Sequence, residues 1–347
     1  MIFSVVLVMV LAIAIIAIIA GISIISPVIG DRLSDLPIMQ EDIGGNFSGR
    51  QLAYICSPVD NTVRAVDPST KRVVATMNFA EKPVLAIPCP DSGNLYVIVG
   101  NGLCIVDGND LSTMVNITYQ YPVKRIAFSP DGRRAYIEIG DEYNSWFLVT
   151  NTGTKESLTE SSTFEGTGRD GVQVSPDGKY LYLADNDFGS LVVINLHDLT
   201  VAKKIFCSLG GKASDVAVSP DGGNVYVSFA SSNDLSIINT KNLTLEKNIH
   251  MPIANSRSVA ASPDGRYVYA TNYDDKKRIS TVAVISTVND AVIKEIAISQ
   301  DPLSMRISPD GNYLYVCTAY DPVQVINTET LSVKSLGFVG SHVEFSK

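Results

Sequence analysis

One short unit recurs through the chain from about residue 49 to its end. Five copies carry the same tetrapeptide: Ser129-Pro130-Asp131-Gly132, Ser175-Pro176-Asp177-Gly178, Ser219-Pro220-Asp221-Gly222, Ser262-Pro263-Asp264-Gly265 and Ser308-Pro309-Asp310-Gly311. A sixth copy is degenerate, Cys89-Pro90-Asp91-Ser92-Gly93. The prolines at 90, 130, 176, 220, 263 and 309 are spaced by 40, 46, 44, 43 and 46 residues. A fixed period of this length, built from short apolar runs, restricts the chain to a repeat architecture before any other property is weighed.

Each unit reads as four strands. An apolar strand, such as Val216-Ala217-Val218-Ser219, runs into the tetrapeptide. There Pro suits the second position of a type I turn, Asp the third, and Gly the left-handed residue that follows. A second strand follows with Tyr four residues after the Gly, at Tyr136, Tyr182, Tyr226, Tyr269 and Tyr315, and Tyr96 and Tyr54 fill that slot in the degenerate copies. A third strand alternates β-branched residues and ends on a small polar one, as in Val193-Ile194-Asn195, Ile237-Ile238-Asn239 and Val325-Ile326-Asn327. A turn then leads to a more polar fourth strand, such as Thr244 to Ile249. Four strands per unit and seven tyrosines predict an all-β fold, a seven-bladed β-propeller of four-stranded blades. The last copy stops after an inner-type strand, Ser341 to Ser346, and the first begins at a second-type strand, Gln51 to Ser57. The two ends are therefore expected to share one blade, which removes free sheet edges.

Tyr269-Ala270-Thr271-Asn272, following Ser262-Pro263-Asp264-Gly265, resembles the repeat of YVTN-type seven-bladed propellers. That resemblance spans residues 49–347 and implies a secreted or surface-layer propeller of the archaeal or bacterial cell surface. It is also similar in fold to lactonase-type and quinoprotein-type propellers, and one such fold hosts many activities. Most copies depart from the string, for instance Tyr226-Val227-Ser228-Phe229, and the resemblance transfers no catalytic set.

Residues Met1 to Gly30 contain no charged side chain and read as one long hydrophobic α-helix ahead of the ring. Nothing basic precedes the apolar run and no clear cleavage site follows it, so an uncleaved helix is expected. Two arrangements fit: a membrane anchor, or a pilin-like helix packing with copies of itself in the core of an extracellular filament. Residues 31–48, with Pro37 and Gly44-Gly45, read as a linker, and 49–347 as the propeller. The expected partners are thus a membrane or a homo-oligomer through the helix, and an extracellular protein or carbohydrate on the ring.

The formal net charge is −9, and no basic stripe is present, which disfavours nucleic acid as a partner. Five cysteines, Cys56, Cys89, Cys104, Cys207 and Cys317, fall on strands and are expected as free, buried thiols. Cys56 and Cys317 share a slot in neighbouring blades, but such positions are usually too distant for a disulfide. The sequons Asn46-Phe47-Ser48, Asn116-Ile117-Thr118 and Asn242-Leu243-Thr244 fall at surface sites where glycans at Asn46, Asn116 and Asn242 would be tolerated.

The three histidines, His197, His250 and His342, are expected on a turn, a fourth strand and a loop of different blades, with no metal spacing. No Gly-x-Ser-x-Gly elbow or phosphate loop occurs, so no catalytic residue or cofactor is expected, and a non-enzymatic envelope or adhesion role is preferred to the alternative of a lactonase- or quinoprotein-like propeller enzyme. The connections from second to third strand do carry a pattern. Asp60, Asp141-Glu142-Tyr143, Asp185-Asn186-Asp187-Phe188, Asp234, Tyr273-Asp274-Asp275 and Tyr320-Asp321 would converge on one rim. An acidic, aromatic-dotted rim suits divalent cations, cationic partners or carbohydrate, although Asp and Asn are also what turns prefer. Asp185 and Asp187 faintly resemble a calcium loop but lack the distal Glu, leaving at most a structural calcium. The longest irregular stretch, Asn151 to Gly171, is expected to be a surface excursion of the third blade.

Overall fold

A computed structural model describes residues 46–141, 144–161, 164–165, 171–208 and 211–346. The hydrophobic helix expected over residues 1–30 lies outside them, and among the described residues no helix is long and apolar enough to cross a membrane. The described residues form seven antiparallel sheets. Numbered by their tyrosines in chain order, blade 1 pairs His342–Phe345 with Ala53–Ser57, Thr62–Asp67 and Arg72–Asn78. Its register includes Ala53 opposite Phe345 and Cys56 opposite His342, so the two chain ends share one blade as expected.

The inner strands of blades 2 to 7 are Pro83–Pro88, Val123–Phe128, Val172–Val174, Ala213–Val218, Val259–Ala261 and Pro302–Ile307. In blade 3, Ser157–Glu160 and Phe164–Glu165 both pair with the strand Asn144–Asn151. Part of the stretch expected to be irregular is therefore an outer edge strand. Alternating Ser and Thr with Leu158 gave no turn residue to stop it.

The repeated tetrapeptide explains its own composition. In each copy the Gly N–H donates to the Ser carbonyl, as in Gly222 to Ser219 at 2.8 Å, and the Gly sits at positive φ, from 69° at Gly132 to 76° at Gly311. The Ser hydroxyl donates to the Asp carboxylate, 2.5 Å in Ser219–Asp221, and accepts from the backbone five residues on, 2.9 Å from Asn224 N. Ser, Asp and Gly are thus each used by the turn. Thr240, Thr287 and Thr328 donate their hydroxyls to the carbonyls of Gly222, Gly265 and Gly311, tying each outer turn to its inner one. These turns occupy one face of the ring. The second-to-third-strand loops and the inter-blade connections occupy the other.

Packing between blades follows from the tyrosines. Among the described residues, seven apolar clusters each join one blade to the next. Tyr226 of blade 5 packs with Val268 and Ala270 of blade 6, and Tyr315 of blade 7 with Ala53 and Ile55 of blade 1. All seven tyrosines are buried. Each interface repeats one arrangement, and burying each such side chain contributes about 1.5–3 kcal/mol. Phe47, expected in the linker, is buried in the interface of blades 1 and 2, and its N–H donates to the Asn109 carbonyl at 2.8 Å.

Candidate functional site

The predicted rim residues lie around the loop face, but most are occupied by their own turns. Asp60 accepts from Thr62 Oγ1 at 2.8 Å and pairs with Arg64. Partial burial works to raise its pKa, yet hydrogen bonds from Arg64, Ser57 and Thr62 hold it down at about 2. Asp141 accepts the Asn144 N–H at 2.8 Å, and its carbonyl accepts Lys124 Nζ at 2.6 Å. Asp234 accepts from Ser232 Oγ at 3.1 Å and lies 3.4 Å from His250 Nδ1. Asp274 accepts the N–H groups of Lys276 and Lys277, both at 3.0 Å. Asp321 contributes a carbonyl to Thr318 Oγ1 at 2.8 Å, while Asp275 and Tyr320 are exposed. Glu142 and Tyr143 lie outside the described residues.

The loop expected to resemble a calcium site is arranged otherwise. Asp185 is buried, its Oδ1 accepts the Asp187 N–H at 3.1 Å, and its Oδ2 accepts Ser190 Oγ at 2.9 Å and Lys204 Nζ at 2.6 Å. Lys204 Nζ also lies 4.1 Å from the Phe188 ring centroid. An ammonium already supplies the positive charge there. Among the described residues no group of three or more His, Cys, Asp or Glu side chains is placed to hold a metal ion. All three sequon asparagines are exposed. The five cysteines are free and buried.

A second set of residues converges on the ring axis. An open cavity of about 460 Å³ is lined by residues of six blades. These include Pro58 and His342 from blade 1, Lys82 and Val84 at blade 2, Asn186 from blade 4, Lys212 and Ser214 from blade 5, Arg257 from blade 6, and Ser304 from blade 7. All stand at the entry of an inner strand or on a second-to-third-strand loop, which puts the cavity at the axial mouth of the loop face. Arg257 is held in place by Asp301 at 2.6 Å and the Tyr273 hydroxyl at 3.2 Å, with its Cζ 4.6 Å from the Tyr273 ring centroid.

Beneath the mouth, inner strands exchange polar side chains. Asp215 of blade 5 accepts from Ser258 Oγ at 2.7 Å and Val259 N at 3.1 Å in blade 6. Arg306 of blade 7 reaches Asp215 at 3.2 Å and Glu344 of blade 1 at 2.8 Å, and His342 Nε2 lies 3.2 Å from the same Glu344 oxygen. Burial raises the Asp215 pKa against the pull of Arg306 and Ser258. Burial works upward on Glu344 too, but Arg306 and His342 bring it below the usual range. His342, expected on a loop, is 7% exposed on the closing strand. Its backbone pairs with Cys56, and that pairing draws it inside.

Sequence reasoning missed this axial set. A signal existed: Arg125, Asp215, Ser258, Ser304 and His342 each stand four residues before the Ser or its equivalent that ends an inner strand. Polar residues recurring at one register position of apolar strands mark a common line along the axis.

Residues 168–199 and 210–244 match the LVIVD repeat family, covering blades 4 and 5 and including the strand Leu191-Val192-Val193-Ile194-Asn195. No curated protein matches the sequence. Among solved structures, the chain is similar to Kuenenia stuttgartiensis hydrazine synthase, with a TM-score of 0.69 and 22% identity, over 84% of this chain and 98% of that one. It is also similar to a functionally unknown protein from Desulfotomaculum acetoxidans DSM 771, with a TM-score of 0.69 and 13% identity, over 85% of this chain and 98% of that one. At these identities the likeness concerns the fold alone.

Proposed function

We propose that the chain is a non-enzymatic propeller of the cell surface, held there by its apolar N-terminal segment and presenting its loop face to a partner. The observation that carries this reading is the run Met1 to Gly30, with no charged side chain, ahead of a ring whose ends are closed on each other. An uncharged run of this length favours a bilayer or another apolar partner over water. The resemblance of Tyr269-Ala270-Thr271-Asn272 to YVTN-type surface propellers supports the same location.

Support for a presenting rather than a catalytic role comes from the side chains themselves. The rim acids mostly serve their own turns, and burial pushes the Cys207 and Cys317 thiols up to about 12, far from a reactive thiolate. A pilus-like filament uses the same segment differently, with helices in the core and rings outside.

Alkaline carbonate extraction of membranes tests the anchor. The full chain is expected to stay in the pellet and a chain lacking residues 1–30 to be released. Release of both overturns the anchor. Regular filaments in negatively stained material sheared from cells would instead establish the filament arrangement.

A further inference from the structure

The axial mouth has a chemistry opposite to that of the molecule around it. The chain carries a formal net charge of −9, yet among the described residues the ionisable side chains lining the 460 Å³ cavity are Lys82, Lys212, Arg257 and His342, with no carboxylate among them. Lys82, Lys212 and Arg257 come from blades 2, 5 and 6, so they surround the cavity rather than crowd one side of it. Lys82 and Lys212 are exposed and form no ion pair among the described residues, whereas Arg257 is fixed by Asp301 and Tyr273. Ser304 also lines the cavity, is 4% exposed and stands opposite Cys317 in the strand pairing.

From this geometry we infer that the axial mouth binds a small oxyanion carrying two or more carboxylate or phosphate charges. Cations drawn from separate blades favour a ligand that carries more than one negative charge, and the volume lies within the range of small-molecule sites. The surrounding rim sets the size. Asp60, Asp234, Asp274, Asp275 and Asp321 stand around the mouth on the same face. A long polyanion such as nucleic acid would cross that acidic ring and be repelled, whereas a compact anion passes inside it. Arg306 deeper in the ring is already claimed by Asp215 and Glu344, so the ligand stays at the mouth. This inference goes beyond the anchoring proposed above and holds whether or not the N-terminal segment is inserted in a membrane.

Isothermal titration of the detergent-solubilised full chain with citrate, inorganic phosphate and a single-stranded DNA oligonucleotide, at low ionic strength, tests it. Saturable binding of citrate, phosphate or both is expected, with the stronger of the two identifying the ligand as a carboxylate or a phosphate. That binding should weaken about tenfold or more in the double variant Lys82→Gln, Lys212→Gln, and weaken again at high salt. Both lysines are exposed, so the variant should unfold at the wild-type temperature, which separates loss of the site from loss of the fold. No heat from either small anion up to about 10 mM, where Kd would exceed the range of specific small-ligand sites, overturns the inference. So does binding that the double variant leaves unchanged, or a preference for DNA.

Discussion

The Arg306 guanidinium donates its Nε–H to Glu344 Oε1 at 2.8 Å, linking the last complete blade to the strand that closes the ring. Its Nη1 lies 3.2 Å from Asp215, two blades back. One cation thus serves two carboxylates drawn from blades distant in sequence. Replacing Arg306 with Met leaves the buried Asp215 without its counter-charge and the half-buried Glu344 with His342 alone beside it. A loss of about 3–5 kcal/mol in denaturant-induced unfolding is expected. A loss below about 1 kcal/mol would mean that water already compensates these groups.

Deleting residues 341–347 removes the strand paired with Ala53–Ser57 and bares that strand's edge. Exposed edges recruit other chains. Size-exclusion chromatography is expected to show oligomers or aggregate in place of the intact chain's distribution. An unchanged elution profile would show that ring closure does not depend on this strand.

The turn aspartates set a response to acid. Hydrogen bonds from Ser129, Ser175, Ser219 and Ser262 lead the lowering of the Asp131, Asp177, Asp221 and Asp264 pKa values, Asp264 to about 2. Folded values below the unfolded 3.8 mean that each carboxylate stabilises the fold above about pH 4. The contribution is lost as pH falls through the lowered folded values. Thermal unfolding followed between pH 5 and 2 should show the melting temperature dropping most steeply below pH 4. Asp264→Asn should lower the melting temperature at pH 6 and shrink its difference from wild type at pH 2.

Tyr315 is fully buried between blades 7 and 1, and its hydroxyl has no hydrogen-bond partner among the described residues. Tyr315→Phe keeps the ring and discards the unsatisfied group, so its stability should equal or exceed wild type. Tyr315→Ala leaves a cavity and should cost about 3–5 kcal/mol. Equal losses in both variants would point to a bond the hydroxyl makes through water.

The five thiols offer a test of the packing as a whole. All are buried, and burial pushes Cys104 up to about 11 and Cys207 and Cys317 to about 12. Iodoacetamide at pH 8 should label none of the five in the native protein and all five in denaturant. Rapid labelling of one thiol in the native state would locate a blade that opens.

The ring was legible in the sequence because its constraints are local. Ser219-Pro220-Asp221-Gly222 carries its own turn chemistry, and Tyr226 marks an interface that recurs at every blade. The rim was legible in position but not in use. Asp185 reads as a free ligand in sequence, and only the fold brings Lys204, nineteen residues later, to its side. The axial set was hidden for the same reason. Lys82, Lys212 and Arg257 are ordinary surface cations in a linear reading, and become one site only when blades 2, 5 and 6 meet around the axis. Arg306 and Glu344 each stand two residues before the Ser that ends an inner strand, and Asp215 lies about two repeats back, so the repeat marks their positions but not which of them pair.

The central claim is that an apolar N-terminal segment holds this ring outside the cell with its loop face accessible. Labelling intact native cells with a membrane-impermeant amine reagent, followed by peptide mapping, tests it most directly. Modification of Lys82 and Lys212 on unbroken cells, with cytoplasmic proteins unlabelled, is the expected result. Labelling of these lysines only after the cells are broken would contradict it.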